Sequence, residues 1–172
     1  AAMNGTGGVV LGANAAINGT LTLTNGNITL GTNNLSLATS STGSVASHII
    51  TNGAGNVVVK ALAASNTRTV PVAVDAASYN PVVIAANAGH TTDDITVRIL
   101  QGVFINGSSG NQFVDVVVNK TWIINETVAG GSDVNVTLQW TASQELPRFD
   151  RTKCYVTQSI NGTWQSTTGT SA

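Results

Sequence analysis

Charge is what this sequence has least of. Of its 172 residues, seven are Lys or Arg and eight are Asp or Glu, and the net charge is −1. That is 9% charged, against about 25% in an ordinary soluble protein. Thr, Ser and Asn must therefore keep the surface wet. Such a surface suits secreted β-proteins and chains that stack, because little like-charge repulsion opposes association. The basic residues form no stripe, so binding to nucleic acid through phosphate neutralisation is not expected.

Cysteine is nearly lacking too. Cys154 stands alone, so neither an internal disulfide nor a zinc cluster can form. The expectation is a buried structural thiol. A catalytic thiol would want a nearby histidine, and His48 and His90 lie in no recognisable signature. Long apolar runs are missing as well. Residues 81–86 and 116–118 are far too short to span a bilayer. Residues 1–6 show neither a charged n-region nor an apolar h-region, so a secreted form would have lost its signal before this numbering begins.

Reaction motifs are wanting. There is no Gly-x-Ser-x-Gly elbow, dinucleotide fingerprint or phosphate loop. Asp93-Asp94 follows His90 and could offer oxygens to a hard cation, but no Asp-x-Asp-x-Asp-Gly loop accompanies it, and a solvated turn is the simpler reading. No enzyme activity, cofactor or metal is expected. Residues 145–153 are the one charge-dense segment. They read either as a docking patch with Asp150 paired to Arg148 or Arg151, or as a solvated loop with Phe149 tucked beneath. Asn-x-Ser/Thr sequons recur, from Asn4 to Asn161, as they would by chance in a chain rich in Asn and Thr.

What is present is a ladder. Residues 21–37 hold Leu21-Thr22-Leu23, Ile28-Thr29-Leu30 and Leu35-Ser36-Leu37. Each triplet starts seven residues after the last. Alternating apolar and small polar residues make half-buried strands, and Asn25-Gly26 and residues 31–34 supply the reversals. Three such sides would close one coil of a solenoid, although hairpins at this spacing would look the same. Upstream, Val9-Val10-Leu11 is a candidate assembly strand. It either pairs within its own chain or is donated to another subunit.

The pattern breaks at residues 61–68, where 61–64 could form one helical turn. Beyond it the strands lengthen: 69–74, 79–86, 94–100, 113–124, 134–140 and 154–160. Pro71 and Pro81 mark edges or strand starts. Six or more strands without helical periodicity predict an antiparallel sandwich. Trp122 and Trp140 read as core, with indole N–H groups satisfied by backbone. Trp164, after a Gly turn, is open to a second reading as a sugar platform with Tyr155. The predicted fold is therefore all-β: a short-strand ladder over residues 1–64, β-solenoid-like or a meander, followed by an antiparallel β-sandwich over 65–172.

Residues 18–37 resemble the repeat-like part of secreted surface proteins of Bacteroidota exported through the type IX secretion system. Residues 149–156, followed by Asn161-Gly162-Thr163-Trp164, resemble the end of the module that follows. Pro71-Val72, Tyr79-Asn80-Pro81-Val82 and Thr96-Val97-Arg98 fit between the two. The resemblance implies an extracellular or cell-surface protein without catalysis of its own. The expected role is a subunit of a surface fibre, filament or adhesin stalk, self-associating as a homo-polymer through strand edges. The alternative is a carbohydrate-binding module of a secreted multidomain protein, meeting surface glycans at Trp164 and Tyr155. The chain departs from the pattern in showing no recognisable sorting domain.

Overall fold

The structure, a computed structural model, describes residues 1–165. Among these residues the chain is all β, with no α-helix and one 3-10 turn at Ala142–Gln144. It divides into two compact units. The first holds residues 1–99 and 122–139, and the second holds 100–121 and the chain from 140 onward.

The first unit begins as a stack of three-sided coils. Strands β1 (Ala2–Asn4), β2 (Val9–Val10) and β3 (Ala15–Ile17) form one turn of chain. Strands β4 (Leu21–Asn25), β5 (Ile28–Thr29) and β6 (Leu35–Leu37) form the next. Strands β7 (Ser41–Thr42), β8 (Ile49–Ile50) and β9 (Val57–Leu62) form the third. Each strand pairs in parallel with its counterpart about one coil later: Thr22 on Ala2, Ile28 on Val9, Leu35 on Ala15, and Val57 on Leu35. The three apolar triplets of residues 21–37 are thus the three sides of a single coil. Parallel pairing settles the choice left by the spacing: this part is solenoid-like and not a meander.

Alternation explains what fills the coils. Successive strand residues face opposite sides, so Leu21, Leu23, Ile28, Leu30, Leu35 and Leu37 all turn inward and are buried. Their partners Ile49, Val57 and Val59 continue the same columns. Burying a Leu, Ile or Val side chain stabilises by about 1.5–3 kcal/mol. Corners hold because their residues are small. Gly26 sits at φ 75°, where a Cβ would overlap the carbonyl oxygen of Gly5 in the coil beside it. No side chain but glycine's fits both demands.

At Pro71 the chain changes sheets. Strand β10 (Thr67–Val70) runs antiparallel to β12 (Val82–Ala86), whereas β11 (Val72–Ala73) stacks in parallel on β8. Proline has no N–H to give a ladder, but the Pro71 carbonyl accepts the N–H of Ile49 at 2.8 Å. The segment 69–74, expected as one strand, is therefore two. Residues 61–64 form no helical turn: β9 continues through Leu62 with Ala61 at φ 45°. Strand β13 (Asp93–Gln101) pairs antiparallel to β9 with a register shift at that point. Strand β14 (Lys120–Glu126) lies beyond β13, and β15 (Val134–Leu138) pairs with β12. Trp122 packs against this core, its indole N–H donating to the Asn80 carbonyl at 3.2 Å.

Among its described residues the second unit is mostly loop. Residues 113–118, expected inside one long strand, are irregular, with Val116 at φ 57°. Their backbone bonds go to loop 144–147 instead: Val116 N–H to Pro147, and Leu146 N–H to the Val117 carbonyl, each at 2.9 Å. The predicted strand 154–160 shrinks to β16 (Ser159–Ile160), which pairs with β17 (Thr163–Trp164) about an Asn161-Gly162 turn. Both turn residues have positive φ, as a tight hairpin requires.

Candidate functional site

The feature that stands out is the first coil. Among the described residues, β1, β2 and β3 are each the last strand of their sheets. The candidate strand Val9-Val10-Leu11 pairs within its own chain, on β5, and among the described residues no strand pairs on its other side. Val9 N–H donates to Asn27 at 2.8 Å and Leu11 N–H to Thr29 at 3.0 Å. Both residues therefore turn their backbone groups toward β5. By the alternation of a ladder, the N–H and C=O of Val10 point the opposite way. The same rule applies to β3, where Ala15 N–H donates to Asn34 at 2.9 Å and the Ile17 carbonyl accepts from Ala38 at 3.1 Å. The backbone groups of Ala16 therefore face outward. On β1, the Ala1 carbonyl accepts from Thr22 at 2.9 Å, which leaves Ala2 as the outward residue.

Exposure changes along one column of the stack. Val9, Ile28, Ile49 and Val72 stack in register and are 43%, 7%, 0% and 0% exposed. Val10 is 76% exposed. It also lines a shallow groove of about 430 Å³ with Gly7, Gly8, Thr29, Ile50 and Ala76. No charged side chain precedes Lys60 and no proline precedes Pro71. Lysine, inward charge and proline are the usual means of stopping an edge from pairing, and this edge has none of them.

The corner beside β3 carries a repeated pattern. Asn34 N–H donates to Asn14 Oδ1 at 2.8 Å, and Asn56 N–H donates to Asn34 Oδ1 at 2.9 Å. An asparagine ladder thus links Asn14, Asn34 and Asn56 from coil to coil. This corner escaped the sequence reading, although asparagines recurring at about one coil's length were its signal.

The stack's opposite end is closed by its own chain. Ser41 Oγ donates to the Thr69 carbonyl at 3.4 Å, and Thr69 N–H donates to Ser40 Oγ at 3.2 Å. Asn80 N–H donates to the Val72 carbonyl at 2.9 Å, and β13 covers β9.

Other candidate chemistry is tied up in structure. Val128 N–H and the Thr127 hydroxyl, with the Asp94 and Thr127 N–H groups, hold the Asp93 carboxyl below its ordinary range. Burial would raise Asp94, but its bonds from Lys60 and Ala61 outweigh that and its carboxyl is lowered. The Ser132 hydroxyl and Gly130 N–H lower Glu126 likewise. His48 is buried, with Nε2 2.9 Å from the Asp75 carbonyl and its ring against Tyr79. His90 Nδ1 accepts from Asp133 N–H, so its ring proton sits on Nε2, facing the Leu62 carbonyl at 3.1 Å.

In the second unit, Trp164 is half-buried and its indole N–H donates to the Phe104 carbonyl at 2.8 Å, while Tyr155 is exposed. Trp140 departs from the expectation of a backbone partner. Its N–H meets Glu145 Oε1 at 2.9 Å, and its ring stands edge-on to Phe149. The charged segment also pairs differently. Arg151 binds Glu145, Arg148 binds Asp115, and Asp150 takes Lys153. Arg148 sits in the left-handed region, at φ 63°. Cys154 is half-buried and its thiol meets the Arg151 carbonyl at 3.2 Å, because the strand meant to bury it does not form.

Compared with protein-family models, with curated proteins and with solved structures, the chain matches none.

Proposed function

We propose that this chain is a non-catalytic structural module of the cell exterior, contributing to a surface fibre or adhesin stalk by pairing through its strand edges. One observation supports this most: among the described residues the first coil ends three ladders, and its strands carry no charged side chain or proline. The low overall charge and the resemblance of residues 18–37 to secreted surface repeats point the same way. Sedimentation velocity of the 172-residue chain over a range of concentrations tests the reading. Association is expected to grow with concentration and to vanish in Val10→Pro, which removes the outward N–H a partner strand would need while breaking no bond to β5. A wild-type chain that stays monomeric throughout would defeat it.

A second reading has one observation in its favour, the exposed ring of Tyr155. It makes the chain a carbohydrate-binding module. The half-buried Trp164, its N–H already bonded, lends it less. Retention on insoluble polysaccharide that falls in Tyr155→Ala would sustain it; no retention would remove it.

A further inference from the structure

We infer that His48 is a proton-operated clasp inside the first unit, closed when both ring nitrogens carry hydrogen and half-open when one does not. The side chain is fully buried. Its Nε2 lies 2.9 Å from the Asp75 carbonyl oxygen, and its Nδ1 lies 3.2 Å from the Ser44 carbonyl oxygen. A carbonyl oxygen only accepts hydrogen bonds, and a neutral imidazole has one N–H to give. The neutral ring therefore serves one of the two oxygens and turns a lone pair on the other. Only the doubly protonated ring donates to both.

The backbone holds the ring in place. His48 N–H donates to Asn27 Oδ1 at 2.9 Å, and the His48 carbonyl accepts from Ile28 at 3.1 Å. The two oxygens belong to separate segments. Ser44 opens a tight turn in which Ser44 and Ser47 exchange backbone bonds of 2.8 and 3.1 Å. Asp75 opens the turn after β11, where its carboxylate takes the N–H groups of Ala77 and Ser78 at 2.9 and 2.8 Å. One ring thus ties a corner of the third coil to the chain that leaves the stack after Pro71. Asp75 is the one charged side chain on these segments, since residues 1–59 and 69–89 hold no other. Tyr79 is the other titratable neighbour. Its ring centroid is 5.8 Å from that of His48, and its hydroxyl donates to the Gly43 carbonyl at 3.1 Å. An aromatic ring at about 6 Å attracts a cation. Of the two ring contacts, the one to Asp75 is the shorter. The neutral ring keeps its hydrogen there and releases Ser44. The Ser44 carbonyl also accepts the Ser47 N–H, so its release loosens that turn while the coils stay folded.

Nitrogen NMR of the ring, with amide exchange at Ser47, tests the clasp at about pH 5.5 and about pH 8.5, on either side of the range in which imidazole changes charge. Carboxylates and phenols ordinarily titrate outside that interval, so of these groups only the imidazole changes charge within it. At the lower pH both ring nitrogens should carry hydrogen. At the higher pH only Nε2 should, and the protection of Ser47 N–H, corrected for intrinsic exchange, should fall several-fold. Leu30 N–H, which donates to Ile50 in the same stack, should keep its protection. In His48→Gln, which has no proton to lose, Ser47 protection should be alike at both pH values. A wild-type ring that stays neutral at the lower pH would overturn the clasp. So would Ser47 protection that ignores pH in the wild type, a fall shared equally by Leu30, or the same fall in His48→Gln. The wild-type measurements decide the matter even if that variant does not fold.

Discussion

The backbone N–H of Asn34 donates to the side-chain oxygen of Asn14 at 2.8 Å, binding one coil to the next. Asn34 passes the same bond on to Asn56 at 2.9 Å. Replacing Asn34 with Ala leaves the Asn56 N–H without its acceptor. The expected loss is about 1–3 kcal/mol, the usual cost of an unsatisfied, part-buried donor. Asn34→Asp keeps an acceptor oxygen and should recover most of it. Urea unfolding of the three proteins, compared at constant slope, reads the difference.

Position in the stack sets the cost of losing an apolar side chain. Ile49 and Val9 occupy one column, the first fully buried and the second at the open end. Ile49→Ala should cost about 2–5 kcal/mol through its cavity. Val9→Ala, measured on the dilute monomer, should cost well under half as much. Equal losses would mean that the first coil is already covered.

Gly26 has two reasons to be glycine, a φ of 75° and the nearness of the Gly5 carbonyl. Gly26→Ala should destabilise by more than about 1 kcal/mol, since Ala at positive φ reverses the usual benefit of replacing glycine. Gly12→Ala meets no atom and has no positive φ, so its thermal midpoint should hardly move.

Acid should loosen the β13–β14 end of the first unit. The hydrogen bonds on Asp93 and Glu126 depress both carboxyls in the folded state. Groups with lowered folded values stabilise fully above their unfolded values, about 3.9 for Asp and 4.3 for Glu. That stability is lost as pH falls through the folded values. Thermal midpoints should therefore hold steady down to about pH 5 and decline below it. Asp93→Asn should lower the midpoint at neutral pH and flatten the acid decline. An unchanged acid profile would show that the carboxylate's bonds carry no stability.

Much of this fold is written locally. Leu21, Ile28 and Leu35 begin three strands at a spacing of seven residues, and each takes one side of a coil. Spacing alone could not separate coil from hairpin, because alternation looks alike in both. The longer interval joining Asn14, Asn34 and Asn56 carries that information. Val116 and its β-branched neighbours misled for the opposite reason: strand propensity yields to tertiary pairing, here with loop 144–147. At the candidate site, Val9, Val10 and Leu11 stood out by hydrophobicity. Ala2 and Ala16 did not, because what they offer is backbone, which no side-chain pattern marks.

Residue-resolved amide hydrogen exchange on the dilute monomer is the most direct test. Slow exchange is predicted at Val9, Leu11 and Ala15, whose N–H groups bond to the second coil, and fast exchange at Val10 and Ala16, whose N–H groups face away from it. Val10 and Ala16 should slow as concentration rises. Uniform exchange along residues 9–17, whether fast or slow, would contradict a first coil paired on one side and open on the other.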